Sequence, residues 1–110
     1  MINVEFFKKG EIFAGFIVKN HSGYEQSGKD IVCSAVTSAV QMAINTITEI
    51  AEINVKLNVD EKKSIISLEL MDTDNNKNTL QNIILKGLLI HLKNIQQDYP
   101  DNLKIKVTEV

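Results

Sequence analysis

Arginine and tryptophan are missing from this sequence, and cysteine and proline occur once each. Each absence closes off a class of function. Arginine supplies most bidentate recognition of bases and phosphates, and here twelve lysines face fourteen acidic residues for a net charge of -2. Only Phe6, Phe7, Phe13, Phe16, Tyr24 and Tyr99 are aromatic, too few for a base-stacking platform. Direct binding to nucleic acid is therefore not expected. One cysteine, Cys33, excludes an internal disulfide. With His21 and His91 it falls short of a four-ligand Cys/His zinc set, so neither metal nor cofactor is expected. Apolar runs fall well below the ~20 residues of a membrane span. The start, Met1-Ile2-Asn3-Val4-Glu5, has no basic segment leading into an apolar one. The expectation is a cytoplasmic protein with no membrane partner. A glycine-rich phosphate loop, a serine elbow and paired catalytic carboxylates are also missing.

What is present reads as one folded domain, residues 1–110, with 44% hydrophobic and 24% charged residues. Residues 2–8 are strand-like, Lys9-Gly10 is a turn, and residues 11–19 complete a hairpin. Residues 20–28 contain two glycines and several small polar residues, the composition of a mobile surface loop. A helix is expected from Lys29 to Ala51, with Val32, Val36, Ala39, Val40, Ala43 and Ile47 as one buried stripe. Ser27 and Asp30 have the spacing of a capping box, with aspartate in place of the usual glutamate or glutamine.

Ile53, Val55, Leu57 and Val59 alternate with Asn54, Lys56 and Asn58, the pattern of a half-buried strand. Residues 60–63 form a polar turn, and residues 65–71 pair back as a further strand. After a polar loop at 72–78, a second helix is expected over 79–97. Its apolar side is Leu80, Ile83, Ile84, Gly87, Leu88, His91 and Ile95. Pro100 ends it by disfavouring helix at Tyr99, and residues 103–108 alternate as a last strand. The order β-β-α-β-β-α-β implies an α+β fold: a mostly antiparallel sheet with two long helices packed on it. The other sheet face is solvated or covered by a partner subunit.

Cys33 projects to the shoulder of the first helix's stripe, roughly 60° from its centre. It also falls near the helix start, where unpaired N–H groups favour a thiolate, the nucleophilic form. The alternative is a small buried filler. His21 stands twelve residues earlier, where a strand meets the loop. An imidazole there can act as general base and then as acid for a leaving amine; the alternative is an exposed loop histidine. His91 is the competing base, read as a packed core or interface residue. Asp30 caps the helix or orients the imidazole. Gly23 and Gly28, with Ser22 and Tyr24, let the loop open or merely shape a turn. Backbone N–H groups near Cys33 can form an oxyanion hole only if the helix start leaves them unpaired.

Two blocks carry a family resemblance. His21-Ser22-Gly23-Tyr24 and Gly28-Lys29-Asp30-Ile31-Val32-Cys33-Ser34-Ala35-Val36 resemble the ribosomal-processing cysteine protease family (Prp). Gly15-Phe16, Gly87-Leu88 and Tyr99-Pro100 fit it too. Asn20 departs from the pattern, since the family usually has glycine there; Ser22 and Ser34 replace alanines and Thr37 replaces a serine. The resemblance implies Cys33 as nucleophile and His21 as general base. It also implies removal of an N-terminal extension from the precursor of a large-subunit ribosomal protein, with that precursor as peptide substrate. A homodimer acting in the cytoplasm during ribosome assembly is implied as well. Two rival readings carry different expectations: a non-enzymatic dimeric ribosome-associated adaptor, and a thiol redox sensor.

Overall fold

β1 (Ile2–Lys9) and β2 (Ile12–Asn20) form the expected hairpin, closed at Gly10 with its backbone in the left-handed region (φ +59°). In the computed structural model, which describes residues 1–20, 27–71 and 75–110 (27–30 by backbone alone), the chain continues into α1 (Ser27–Asn45). A π-helical turn (Thr46–Ile50), β3 (Val55–Asp60), β4 (Ile65–Leu70), α2 (Asn75–Asp98) and β5 (Leu103–Glu109) follow. All five strands lie in one sheet, in the order β3-β4-β2-β1-β5. Three of its pairings are antiparallel, and β1–β5 is parallel. The α+β architecture stands as expected, with the sheet mixed at one edge.

Ile2, Val4 and Phe6 alternate into the core, where the Phe6 ring meets Phe13 edge-on at 5.8 Å and Phe16 at 6.0 Å. From α1 and its π turn, Val32, Val36, Val40, Ala43 and Ile47 are buried in the same core, as the periodicity predicts, and Ala39 packs half-buried against it. Gly15 sits where β2 meets β4. A Cβ there would lie 2.2 Å from the carbonyl oxygen of Leu68, so no side chain fits between these strands. Beside it the β1–β2 register slips between Phe7 and Lys8, leaving Ala14 without an opposite residue.

Four expectations are corrected. The first helix runs in α-form only to Asn45. The hydroxyls of Thr46 and Thr48 bond back to the carbonyls of Met42 and Ile44, and the closing bond, Ala51 N–H to Thr46 C=O, is five residues long. α2 begins at Asn75, inside the segment read as loop, and Lys77 donates to the Glu52 carbonyl at 3.1 Å. Its buried stripe is Gln81, Leu85, Leu88, Leu89 and Leu92; Leu80, Ile83, Gly87 and His91 are exposed. Leu57 and Val59 point as the alternation predicts but stay exposed, because β3 is the outer edge of the sheet.

Ile31–Ile50 is long and apolar enough to cross a membrane by length and composition alone, because its scattered serines and threonines weigh little against its apolar residues. Helices that pack on a sheet meet the same measure, and this one packs through Val32, Val36 and Val40.

α2 also repairs an edge of the sheet. β4 pairs with β2 only from Gly15 to Lys19, so Phe13 extends beyond its neighbour. Asn82 Oδ1 accepts from the Phe13 N–H, and buried Gln81 Nε2 donates to the Phe13 carbonyl, both at 3.0 Å. Two helix side chains thus take the place of a missing strand.

Candidate active site

The C-terminal end of β2, the start of β4 and the N-terminal half of α1 meet at one edge of the sheet. Asn20 closes β2, and its N–H bonds to the Ser64 carbonyl at 3.0 Å. Ser64 turns the chain into β4 with its own backbone in the left-handed region (φ +54°). Cys33 faces this edge from α1. It is half-buried between Val32, which is fully buried, and Ser34, which is exposed. The shoulder position expected from the helical projection is therefore the one observed.

Among the described residues, the sulfur has two polar neighbours. Asn20 Nδ2 donates to Cys33 Sγ at 3.3 Å, and Thr37 Oγ1, one turn along the helix, lies 4.0 Å away. In the first contact the amide N–H donates and the sulfur accepts. From Cys33 a shallow groove of about 780 Å³ runs along α1, past Thr37, Gln41 and Met42, to Glu49 and Ile50 at the π turn. At a rise of about 1.5 Å per residue that is about 25 Å, the length of roughly seven extended residues.

The helix start differs from expectation in a way that matters for chemistry. α1 begins at Ser27, so Cys33 is its seventh residue, in the second turn. Its peptide N–H is engaged inside the helix, and the terminal field fades beyond the first turn. Neither an unpaired N–H at Cys33 nor the helix end is available there. The sequence reading gave Asn20 no chemical role; it marked the residue only as a departure from the usual glycine next to His21.

His21, Ser22, Gly23 and Tyr24 lie outside the described residues. Gly28 and Asp30 fall in the first turn of α1, where the backbone alone is described. His91 is exposed rather than packed in the core, because it belongs to the outward stripe of α2. It lines a separate groove between the helices, with Met42, Ile83, Ile84 and Gly87, and Cys33 is not part of that groove. Among the described residues, no three His, Cys, Asp or Glu side chains group as metal ligands.

An α+β scaffold that holds a single thiol on a helix flank, open to a groove of peptide length, has the makings of a thiol peptidase, and comparison with known proteins makes that class definite. The family model of cysteine protease Prp matches residues 1–104, and the chain belongs to that family. The ribosomal processing cysteine protease Prp of Bacillus subtilis (strain 168) is 26% identical over 91 residues, covering 82% of this chain and 81% of that protein. The fold matches the essential ribosomal processing protease Prp from S. aureus in complex with a substrate peptide, with TM-score 0.86 and 20% identity over 98% of this chain and all (100%) of that one. The same S. aureus protease with a covalently linked product peptide matches with TM-score 0.83 and 23% identity, again over 98% of this chain and 100% of that one. SMU.848 from Streptococcus mutans matches with TM-score 0.87 and 22% identity, over 100% of this chain and 96% of that one.

Proposed function

We propose that this cysteine protease removes the N-terminal extension of a large-subunit ribosomal protein precursor, with Cys33 as nucleophile and His21 as general base. One observation carries the assignment of the nucleophile. A cysteine protease needs a thiol, the chain has one cysteine, and that cysteine opens onto the groove along α1. The base follows by a similar argument. Of the two histidines, His91 faces the other groove, whereas His21 directly follows Asn20, whose amide touches the sulfur.

The reaction runs in two halves. His21 takes the thiol proton, and the sulfur lone pair attacks the scissile carbonyl carbon while the carbonyl π pair moves onto oxygen. The π bond then re-forms, the C–N bond breaks, and the departing amine takes the proton from the imidazolium. Water, deprotonated by the same imidazole, attacks the thioester and releases the acid and the thiol. Met42 and Ile50, both well exposed along the groove, give an apolar segment of substrate a surface to lie on. The substrate class is supported by the name of the Bacillus subtilis relative and by the peptides bound to the S. aureus protease.

The same reading places the protein in the cytoplasm, where ribosomal proteins are made, and makes it a homodimer. Ile83 and Ile90 stand out from α2 at 64% and 62% exposure, apolar surface that a second copy would cover. The direct experiment mixes purified protein with the extended precursor and follows its shortening by mass spectrometry. The parent cleaves, and Cys33→Ala leaves the precursor intact. Undiminished cleavage by Cys33→Ala would exclude the mechanism.

A further inference from the structure

We infer that the side-chain amide of Asn20 is an oxyanion donor in peptide cleavage. The inference rests on Cys33 being the nucleophile. A thiol protease has to stabilise the negative charge that appears on the carbonyl oxygen as sulfur attacks, and it does so with preorganised N–H donors. The peptide N–H of Cys33 is unsuited to this task, because Cys33 stands in the second turn of α1 with its backbone engaged in the helix.

Asn20 has the chemistry and the position. Its Nδ2 lies 3.3 Å from Cys33 Sγ. In the tetrahedral intermediate, sulfur and oxyanion are bonded to the same carbon, so a donor that touches the sulfur lies close to the oxygen as well. An amide nitrogen carries two hydrogens, so holding the sulfur with one does not use up its capacity to donate.

Asn20 is also held in place before substrate arrives. Its residue pairs with Ile2 at the end of the β1–β2 ladder, and its N–H is tied to the Ser64 carbonyl at 3.0 Å on the other side. Its side chain is short, with few rotamers to order, so the amide meets the developing charge with little reorganisation.

The step conserves protons simply. Asn20 lends a hydrogen bond as the carbonyl π pair moves onto oxygen and withdraws it as the pair returns; the proton that reaches the amine comes from His21.

The experiment compares Asn20→Ala and Asn20→Leu with the parent; leucine keeps the size of asparagine without a donor or a charge. Two rates are read: cleavage of the extended ribosomal precursor, and alkylation of Cys33 by iodoacetamide, a reaction that generates no oxyanion. In both variants kcat/KM falls by about 10²-fold, carried by kcat with KM little changed. Alkylation stays within about threefold of the parent, which a purely structural role for Asn20 would not allow. Cleavage within about threefold of the parent in both variants overturns the inference. So does alkylation that falls in step with cleavage, since Asn20 would then only hold the sulfur. Cys33→Ala, read with Asn20 intact, separates failure of this inference from failure of the nucleophile assignment.

Discussion

α1 and α2 lie on the same sheet, yet they distribute their apolar residues differently. α1 commits one stripe to the core and surrounds it with small polar residues: Ser34, Thr37, Ser38, Gln41 and Asn45 are all exposed. α2 carries two stripes. Leu85, Leu88, Leu89 and Leu92 face inward with Gln81, whereas Leu80, Ile83, Ile90 and the exposed Gly87 and His91 face outward. The single-stripe helix displays the thiol on its polar shoulder. The two-stripe helix supports the sheet with one side and offers surface with the other. Under the proposed function, catalysis falls on α1 and association on α2, so a substitution on one need not disturb the other.

Breaking the inner stripe of α2 gives the largest effect on stability. Leu92 is fully buried, and Leu92→Ala is expected to cost about 2–5 kcal/mol through lost burial and the cavity left behind. Urea denaturation measures it. A cost under about 0.5 kcal/mol, typical of surface changes, would mean that the stripe is not core.

A smaller effect is expected from Gln81→Leu, which keeps the volume but leaves the Phe13 carbonyl without its donor. The cost is about 1–3 kcal/mol, less than a cavity but more than a surface change. Hydrogen exchange in the β1–β2 hairpin should rise with it, and unchanged exchange would deny Gln81 its role as a substitute strand.

The smallest effect on the fold is expected from Ile83→Ser on the outer stripe, within about 0.5 kcal/mol in dilute solution where single chains prevail. The same variant sharpens the contrast between the stripes through assembly. Sedimentation at higher concentration should show the parent as two chains and Ile83→Ser as one. A variant that remains a dimer would move the subunit contact to another face.

The same contrast explains what could be read in advance. On α1 and its π turn the outward apolar residues Ile31, Met42 and Ile50 are too widely spaced to form a stripe, so periodicity alone located the buried side of Val32, Val36, Val40 and Ile47. On α2 the outward set of Leu80, Ile83 and Gly87 is as periodic as the inward one, so hydrophobicity could not choose between them. The choice fell to Gln81, a polar residue drawn inward because Phe13 lacked a strand partner. The start of α2 was equally hidden: Asn75, Asn76 and Asn78 are poor helix formers, yet the helix begins among them.

The site divides along the same line. That Cys33 would be the only available thiol, on the shoulder of a helix, followed from composition and the 3.6-residue repeat, because both are local properties of the chain. That its sulfur would meet the amide of Asn20 did not, since the two residues are thirteen apart and come together only when β2, paired with β4, is laid against α1. Local pattern sets which face of an element seeks the core. The end-to-end placement of strands and helices sets which side chains meet at an edge, and that depends on contacts between segments that no window along the chain contains.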